Sequence, residues 1–150
     1  MQNKLNPVHV GVAGEYLVAG ELSLRGYIAS ITLRNSRGID IIASNSEGTK
    51  SVSIQVKTNS SGGGKWILNQ NAETYFSPNH YYIFVSLEKV GLRPKFYVVP
   101  SKVVADYVKS SHAEWLSVKQ SNGKPRKDSK IRNFHDLENK YLEAWNLIKL

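Results

Sequence analysis

Three polar side chains interrupt a stretch that otherwise has the apolar pattern of a β-hairpin. Residues 38–58 read GIDIIASNSEGTKSVSIQVKT, with Asp40 near the start and Gln55 and Lys57 near the end. Positions inside a packed sheet favour Val or Ile, so an acid, an amide and a cation there indicate chemistry. Carboxylate and amide oxygens are ligands of hard cations such as Mg²⁺, and a lysine beside them adds a compact positive charge.

Strand alternation predicts that these three side chains share one face of a sheet. Successive side chains of a strand point to opposite faces, so Gln55 and Lys57 lie on the same side as Ser53. Two registers are open for the hairpin, one that pairs Asp40 with Ser53 and one that pairs it with Gln55. Both registers place Asp40 on the face of Gln55 and Lys57, whereas a slip of one residue would reverse the result.

A divalent cation at this face would find a set of oxygen ligands. Asp40 supplies a carboxylate oxygen, Gln55 an amide oxygen and Val56 a peptide carbonyl. Glu15, on the preceding helix, completes the site directly or through water. Such a cation lowers the pKa of a water and shields phosphoryl charge, while Lys57 holds the attacking water or neutralises the phosphate. The predicted chemistry is phosphodiester hydrolysis with Mg²⁺, for which Mn²⁺ can substitute.

The helices and strands that would position these residues follow from apolar periodicity. Residues 8–25 have a helical period between Pro7 and Gly26, which suit a helix start and a helix stop. Residues 66–78 match neither period. The pattern predicts strands over 27–33, 39–44, 51–58, 81–87 and 95–99, a loop over 59–65, a helix that begins at Pro100 and Ser101, a basic loop over 119–130 and a terminal helix over 135–149.

Three motifs in this order resemble the PD-(D/E)XK nuclease superfamily, which is also called restriction-endonuclease-like. They are GEYLVAGELSLRGY on the first helix, GIDIIA on the second strand and IQVK on the third, and the outline is similar to archaeal Holliday-junction resolvases and Mrr-type nucleases. The resemblance implies an α/β fold with a mixed β-sheet core in the order αβββαβ, flanked by helices, in one nuclease-like domain over 1–150. It also implies a Mg²⁺-dependent DNA endonuclease, with Glu15, Asp40, Gln55 and Lys57 as its site.

Gln55 stands where most members of the superfamily carry Asp or Glu, although Mrr-like members have a QXK form. An amide removes one negative charge from the site, so metal affinity should fall while the ligand oxygen remains. A second hypothesis therefore stays open, a catalytically degenerate nuclease-fold module that binds nucleic acid. A third is a protein-interaction subunit whose basic charge meets an acidic protein. On the first helix, Glu21 is an alternative to Glu15.

The charge of the chain favours a polyanionic partner. Twenty Lys and Arg residues stand against twelve Asp and Glu residues, for a net charge of +8 at pH 7. Basic domains attract nucleic acid, and the predicted partner is DNA, with RNA left open. The candidate phosphate contacts are Arg37, Lys65, Lys124, Arg126 and Lys127, all in segments predicted to be loops or loop ends.

Other bulk features predict where the protein works. The chain has no cysteine, so it forms no disulfide and no thiolate metal site. It has no run of the roughly 18 apolar residues that a membrane span needs, and its N-terminus is unlike a secretory signal. These features predict a cytoplasmic protein that makes no membrane contact. Because cutting both strands of a duplex often takes two sites, the resemblance also suggests a homodimer.

Overall fold

Two helices and seven strands make up the part of the chain that a computed structural model describes, residues 5–33 and 36–150. Residues 1–4 of the predicted non-secretory N-terminus and residues 34–35 lie outside it. No helix within the described ranges is long and apolar enough to cross a lipid bilayer. The elements are α1 (Pro7–Leu24), β1 (Ile28–Ile31), β2 (Ile41–Ser44), β3 (Ser51–Asn59), β4 (Lys65–Asn69), a 3₁₀ turn (Gln70–Glu73), β5 (His80–Ser86), β6 (Lys95–Pro100), α2 (Ser101–Ser117), β7 (Ile131–His135) and a second 3₁₀ turn (Trp145–Leu147).

The main sheet has five strands in the order β1-β2-β3-β5-β6. Strands β1, β2 and β3 are antiparallel neighbours, β3 and β5 run parallel, and β5 and β6 are antiparallel. Every residue of β5 is buried, as its apolar sequence on both faces predicts for an interior strand. The predicted α/β class with a mixed sheet is therefore confirmed.

Helix α1 begins and ends where the sequence predicts. The Asn6 side chain accepts a hydrogen bond from the Val8 N–H at 2.9 Å, Pro7 occupies the first helical position, and Gly26 takes φ +83° just past the end. Asn6 is therefore the N-cap of the helix, and Pro7 lacks only an N–H that would have no partner at this position. Gly26 ends the helix in the left-handed conformation. The start and the direction of the helix are thus set locally.

The two faces of the sheet bury two separate cores. On one face, Val18 and Leu22 of α1 form a core with apolar residues of β2 and β3 that include Ile41 and Ile54. On the other face, side chains of β5 and β6 pack with α2 and with a two-stranded sheet formed by β4 and β7. The second core comprises Trp66, Leu68, Ala72, Tyr82, Phe84, Tyr97, Val99, Val104, Val108 and Phe134.

The connection between β3 and β5 differs from the expected order. Parallel neighbours need a crossover, which is usually an α-helix, and the order αβββαβ places a helix here. In this chain the crossover instead holds β4 and the 3₁₀ turn, the segment whose sequence matched neither period. Helix α2, which follows β6, covers that face of the sheet together with β4 and β7.

The predicted terminal helix over residues 135–149 is wrong. His135 ends β7, and the segment after it is irregular apart from the second 3₁₀ turn. The Asp136 carboxylate accepts hydrogen bonds from the N–H groups of Lys140 and Tyr141, and Asn139 and Glu143 have positive φ values of 53° and 52°. A side chain that binds nearby backbone donors competes with a helix, and left-handed residues end one. Tyr141, Ala144, Trp145 and Ile148 contact the two cores without helical geometry, whereas Leu137 is exposed.

A close contact between α1 and β3 depends on one glycine. A Cβ atom at Gly14 would lie 1.8 Å from the Thr58 Oγ1 atom, whereas a Cβ atom at Gly20 on the same helix would meet nothing within 4 Å. Gly14 therefore sets how near the helix comes to the strand that carries Gln55 and Lys57.

Replacing Gly14 by Ala should lower the free energy of unfolding by about 1–3 kcal/mol, because the extra methyl group overpacks this contact. The matched variant Gly20→Ala should raise it by about 0.5–1 kcal/mol, because alanine favours the helix where space is open. Urea unfolding of both variants checks this. A Gly14→Ala protein as stable as the native protein would contradict the contact.

Candidate active site

The geometry of the site is set by the point at which the pairing of β2 with β3 ends. Ile41 pairs with Ile54, and the Asp40 N–H donates to the Ile54 carbonyl at 2.8 Å. Continuing this register places Asp40 opposite Gln55, which is the second of the two registers predicted from the sequence. Strand β2 begins at Ile41, so Asp40 is at the point where the pairing stops.

The Asp40 carboxylate lies against the peptide that follows Gln55. Its Oδ2 atom accepts a hydrogen bond from the Val56 N–H at 2.7 Å. In an antiparallel pair the peptide groups of every second residue face the partner strand. The peptide groups of Val56 therefore face the same side as those of Ile54, beyond the last paired residue of β2. The carboxylate occupies the place that a further residue of β2 would take.

Burial raises the pKa of Asp40, and this effect exceeds the opposing effects of the Val56 N–H and the Lys57 charge. Among the described residues, no Lys, Arg or His forms a salt bridge with Asp40. The negative charge of this carboxylate is therefore only partly balanced by the protein. A partly buried carboxylate whose charge is only partly balanced favours a cation beside it.

Gln55 and Lys57 line a cleft on the face of the sheet opposite α1. They pair with Tyr82 and Phe84 of β5, which belong to the core beneath α2. The cleft has a volume of about 520 Å³, and both Gln55 and Lys57 are half-buried. The rest of its lining is Arg37, Gly38, Leu68, Asn69, Asn71, Ala72, Thr74, Tyr75 and Tyr82.

Sequence reasoning missed the part of this lining that comes from β4 and the 3₁₀ turn, because residues 66–78 matched no period. One local signal was present. Asn69 precedes the 3₁₀ turn, and its Oδ1 atom accepts from the Asn71 N–H at 3.1 Å, as asparagine does at helix starts. Tyr75 contacts the position of Gly38, where a Cβ atom would lie 3.1 Å from its ring.

Glu15 lies on the helix that packs on the other face of β3. It follows Gly14, which contacts Thr58, the neighbour of Lys57 in the chain. The side chain of Glu15 is half-buried. Its participation in the site stays a prediction.

Glu21, the alternative to Glu15, takes part in an ion-pair network. Its carboxylate binds Arg25 at 2.7 Å and also binds Arg93, and Arg93 in turn binds Glu143 at 3.1 Å. The hydrogen bond from Arg93 lowers the pKa of Glu21 more than burial raises it. The network connects α1 to the turn before β6 and to the C-terminal segment, which accounts for Glu21 structurally.

The predicted phosphate contacts lie at three places in the structure. Arg37 lines the cleft, and Lys65 begins β4. Lys124, Arg126 and Lys127 belong to the exposed loop between α2 and β7, as predicted. In that loop the Arg126 guanidinium lies 4.8 Å from the centre of the Trp115 ring, and its Nε atom donates to the Val118 carbonyl at 2.8 Å. This arginine is held in place before any ligand binds.

Conventional metal ligands alone do not form the site. Within residues 5–33 and 36–150, no three His, Cys, Asp or Glu side chains are close enough together to hold a metal ion. A cation at Asp40 would therefore need the amide oxygen of Gln55 and the carbonyl of Val56 as well, as the sequence predicts.

Comparison with known proteins gives matches in structure. No protein-family profile matches the chain, and no curated protein sequence matches it at a significant level. The structure is similar to that of a bacterial homing endonuclease, I-Ssp6803I, at 17% sequence identity and a TM-score of 0.57, over 97% of this chain and 92% of that chain. It is also similar to Archaeoglobus fulgidus Hjc, a Holliday junction resolvase from an archaeal hyperthermophile, at 14% identity and a TM-score of 0.46, over 84% of each chain. The first match shows a shared fold.

Replacing Asp40 by Asn should stabilise the protein at pH 7 by about 1 kcal/mol, because it removes a partly buried charge and keeps an acceptor for the Val56 N–H. Since the pKa of Asp40 is higher in the folded than in the unfolded state, its ionisation lowers the stability of the native protein as pH rises between those two values. The advantage of Asp40→Asn should therefore shrink as pH falls from the raised pKa of the folded state to the ordinary pKa of Asp, and should be lost below it.

Thermal unfolding in EDTA across this pH range measures the difference. Asp106→Asn, a change at an exposed carboxylate paired with Lys102, is the matched control and should give no gain. An Asp40→Asn protein less stable than the native one at pH 7 would contradict the argument.

Proposed function

We propose that this protein, which has a restriction-endonuclease-like fold, is a metal-dependent endonuclease that hydrolyses phosphodiester bonds in DNA. One observation carries the proposal. The Asp40 carboxylate lies 2.7 Å from the Val56 N–H, opposite Gln55, and Lys57 lies two residues further along the same face. The fold shared with a bacterial homing endonuclease and the net charge of +8 support the same conclusion.

The residues at this point fit a hard divalent cation. All three candidate donors are oxygens, from a carboxylate, a side-chain amide and a peptide carbonyl, which Mg²⁺ and Mn²⁺ accept. The carboxylate is partly buried, and burial raises the pKa of Asp40 more than the Val56 N–H and the Lys57 charge lower it. Asp40, Gln55 and Val56 would hold the cation, and Glu15 would complete its shell directly or through water.

Each side chain near the proposed cation would have its own role in hydrolysis. When bound, the cation supplies positive charge to the phosphoryl group and lowers the pKa of a nearby water. Lys57 holds that water or the phosphate oxygen as a compact cation on the same face. Asp40, fixed by the Val56 N–H, and Gln55, fixed by its place in β3, orient the reacting groups. Arg37 on the wall of the cleft contacts the adjacent phosphate.

Basic residues outside the cleft would bind the DNA backbone. Lys65 lies at the start of β4, and Lys124, Arg126 and Lys127 lie on the loop before β7. Arg126 is already ordered by Trp115, so little side-chain entropy is lost when it contacts a phosphate. We propose that two copies of the chain act together on a duplex, because each site cuts one strand, and that the protein works in the cytoplasm.

An alternative function is supported by Gln55. An amide at this position leaves Asp40, which immediately precedes β2, as the sole carboxylate that residues 39–59 contribute to the candidate site. A chain with this site could bind nucleic acid through the same basic residues and lack cleavage. Measurements of metal affinity and cleavage separate the two functions.

Incubation with supercoiled, linear and branched DNA tests the enzyme directly. With Mg²⁺ or Mn²⁺ the native protein should cut, and Asp40→Ala or Lys57→Ala should slow cutting by roughly 10²–10³-fold, as loss of a group that stabilises transition-state charge does. Lys149→Ala, at an exposed lysine whose Nζ atom donates to the Asn146 carbonyl, is the matched control and should cut normally. Cutting that survives both active-site changes would mean that another site or a contaminant is responsible.

Replacing Gln55 by Glu tests whether the amide limits the site. The added charge should tighten Mn²⁺ binding by on the order of tenfold, because affinity rises with the number of charged ligands, and calorimetry measures it. Asp40→Ala in the same background should abolish the gain. Cleavage that appears only in Gln55→Glu would support the binding module, whereas efficient cleavage by the native protein would defeat it.

A further inference from the structure

The small sheet formed by β4 and β7 presents a face to solvent that the candidate active site does not use. The two strands pair antiparallel, with Lys65 opposite His135 and Ile67 opposite Asn133. Alternate residues are buried in the second core. The outward set is Lys65, Ile67, Asn69, Ile131, Asn133 and His135, which we call the ribbon face.

The composition of the ribbon face suits contact with another molecule. It carries two exposed isoleucines, Ile67 at 69% and Ile131 at 53% relative exposure, among hydrogen-bonding side chains. It has no acidic residue. A single exposed apolar residue needs no explanation, but two on the same short ribbon, beside a lysine and a histidine, form a mixed apolar and cationic surface.

The inward side of the ribbon holds it rigidly. The Trp66 Nε1 atom donates to the Val85 carbonyl at 3.0 Å, and the Phe134 ring stacks on Phe84 at 4.4 Å. Arg132 is buried and binds the Glu73 carboxylate. Side chains that recognise a ligand are more precise when their own strand is fixed in this way.

The ribbon borders the candidate active site. Asn69 belongs to the ribbon face and also lines the cleft that contains Gln55 and Lys57. Its Oδ1 atom accepts a hydrogen bond from the Asn71 N–H, which holds this side chain at the border between the ribbon and the cleft. On its β7 side the ribbon face forms part of a groove of about 430 Å³, whose other wall is α2 with Ser111, His112 and Trp115.

We propose that the ribbon face reads base edges in the major groove of duplex DNA and so makes the protein sequence-specific, an inference that rests on the proposed function. A ribbon of five residues a strand is about 13 Å long, and the major groove, roughly 12 Å wide, admits a two-stranded β-ribbon. The basic loop beside it provides phosphate contacts, which position a protein without reading sequence.

The side chains of the ribbon face match particular bases. The Asn133 amide can donate and accept toward adenine. Ile67, whose side chain is exposed, provides apolar contact for the methyl group of thymine. The reading positions are thus distinct from Asp40 and Lys57, so recognition can be altered without touching the catalytic groups.

Selection from a pool of DNA tests the proposal. The native protein, in EDTA so that metal-dependent cutting does not occur, is mixed with duplexes of about 30 base pairs whose central segment is random, and bound DNA is sequenced. We expect an enriched motif. Asn133→Ala should lower the preference at one position by roughly tenfold to a hundredfold, the worth of one bidentate base contact, and should retain the native melting temperature.

The contact of Ile67 with thymine is tested by a change in the DNA. Replacing thymine by deoxyuridine at the contacted position removes only the methyl group, and should weaken binding of the native protein by roughly fourfold. The same replacement should leave Ile67→Ala unaffected, because the contact is already absent.

Two further variants separate base recognition from general effects on DNA affinity. Asn146→Ala, at an exposed asparagine in the second 3₁₀ turn, should keep the native motif. Lys124→Ala should weaken binding to all sequences equally and reduce the slope of log affinity against log salt by about 1.

The outcomes distinguish this inference from the proposed function. If the native protein enriches no motif, or if Asn133→Ala and Ile67→Ala enrich the native motif unchanged, the ribbon does not read bases, even where Mg²⁺-dependent cutting is observed. A motif that depends on Asn133 and Ile67 supports the ribbon, even where the native protein does not cut.

Discussion

The hydrogen bond from the Val56 N–H to the Asp40 carboxylate is the interaction on which the candidate site depends. Strand β2 stops at Ile41, while β3 continues, so a backbone donor of β3 is left facing a missing residue. A carboxylate can satisfy that donor where another strand residue would have done so. The acid is therefore fixed beside Gln55 and Lys57 by the same feature that ends the pairing. Because it is also partly buried, the Val56 N–H and the charge of Lys57 offset only part of the effect of burial on its pKa.

The alternation of side chains along β3 places buried apolar residues on one face and the polar residues of the candidate site on the other. Val52, Ile54 and Val56 face α1 and are buried, while Gln55 and Lys57 face the cleft and are half-buried. The apolar face holds the strand in place against the helix, so the polar face can carry groups that contribute little to folding. One strand thus belongs both to a core and to the candidate site, and the apolar pattern of the hairpin reflects only the first of these.

Local sequence signals predicted α1, the hairpin and its polar face because caps, turns and alternation act over a few residues. They could not reveal the pairing of β4 with β7, whose partners lie far apart in the chain, as Trp66 and Phe134 do. The apolar spacing after His135 imitated a helix, although Asp136 and two left-handed residues prevent one. The ion pair of Glu21 with Arg93 could not be predicted either, because no local pattern links Arg93 to α1.

The C-terminal segment that replaced the expected helix limits how the sheet can associate. The Val98 N–H donates to the Tyr141 carbonyl, and the Glu143 N–H donates to the Phe96 carbonyl, so the outer border of β6 is occupied by the chain itself. Unpaired strand borders are templates for adding strands from other molecules. Within the described ranges, the five-stranded sheet therefore keeps one border, along β1, at which a foreign strand can be added, and loss of residues 141–143 would expose a second.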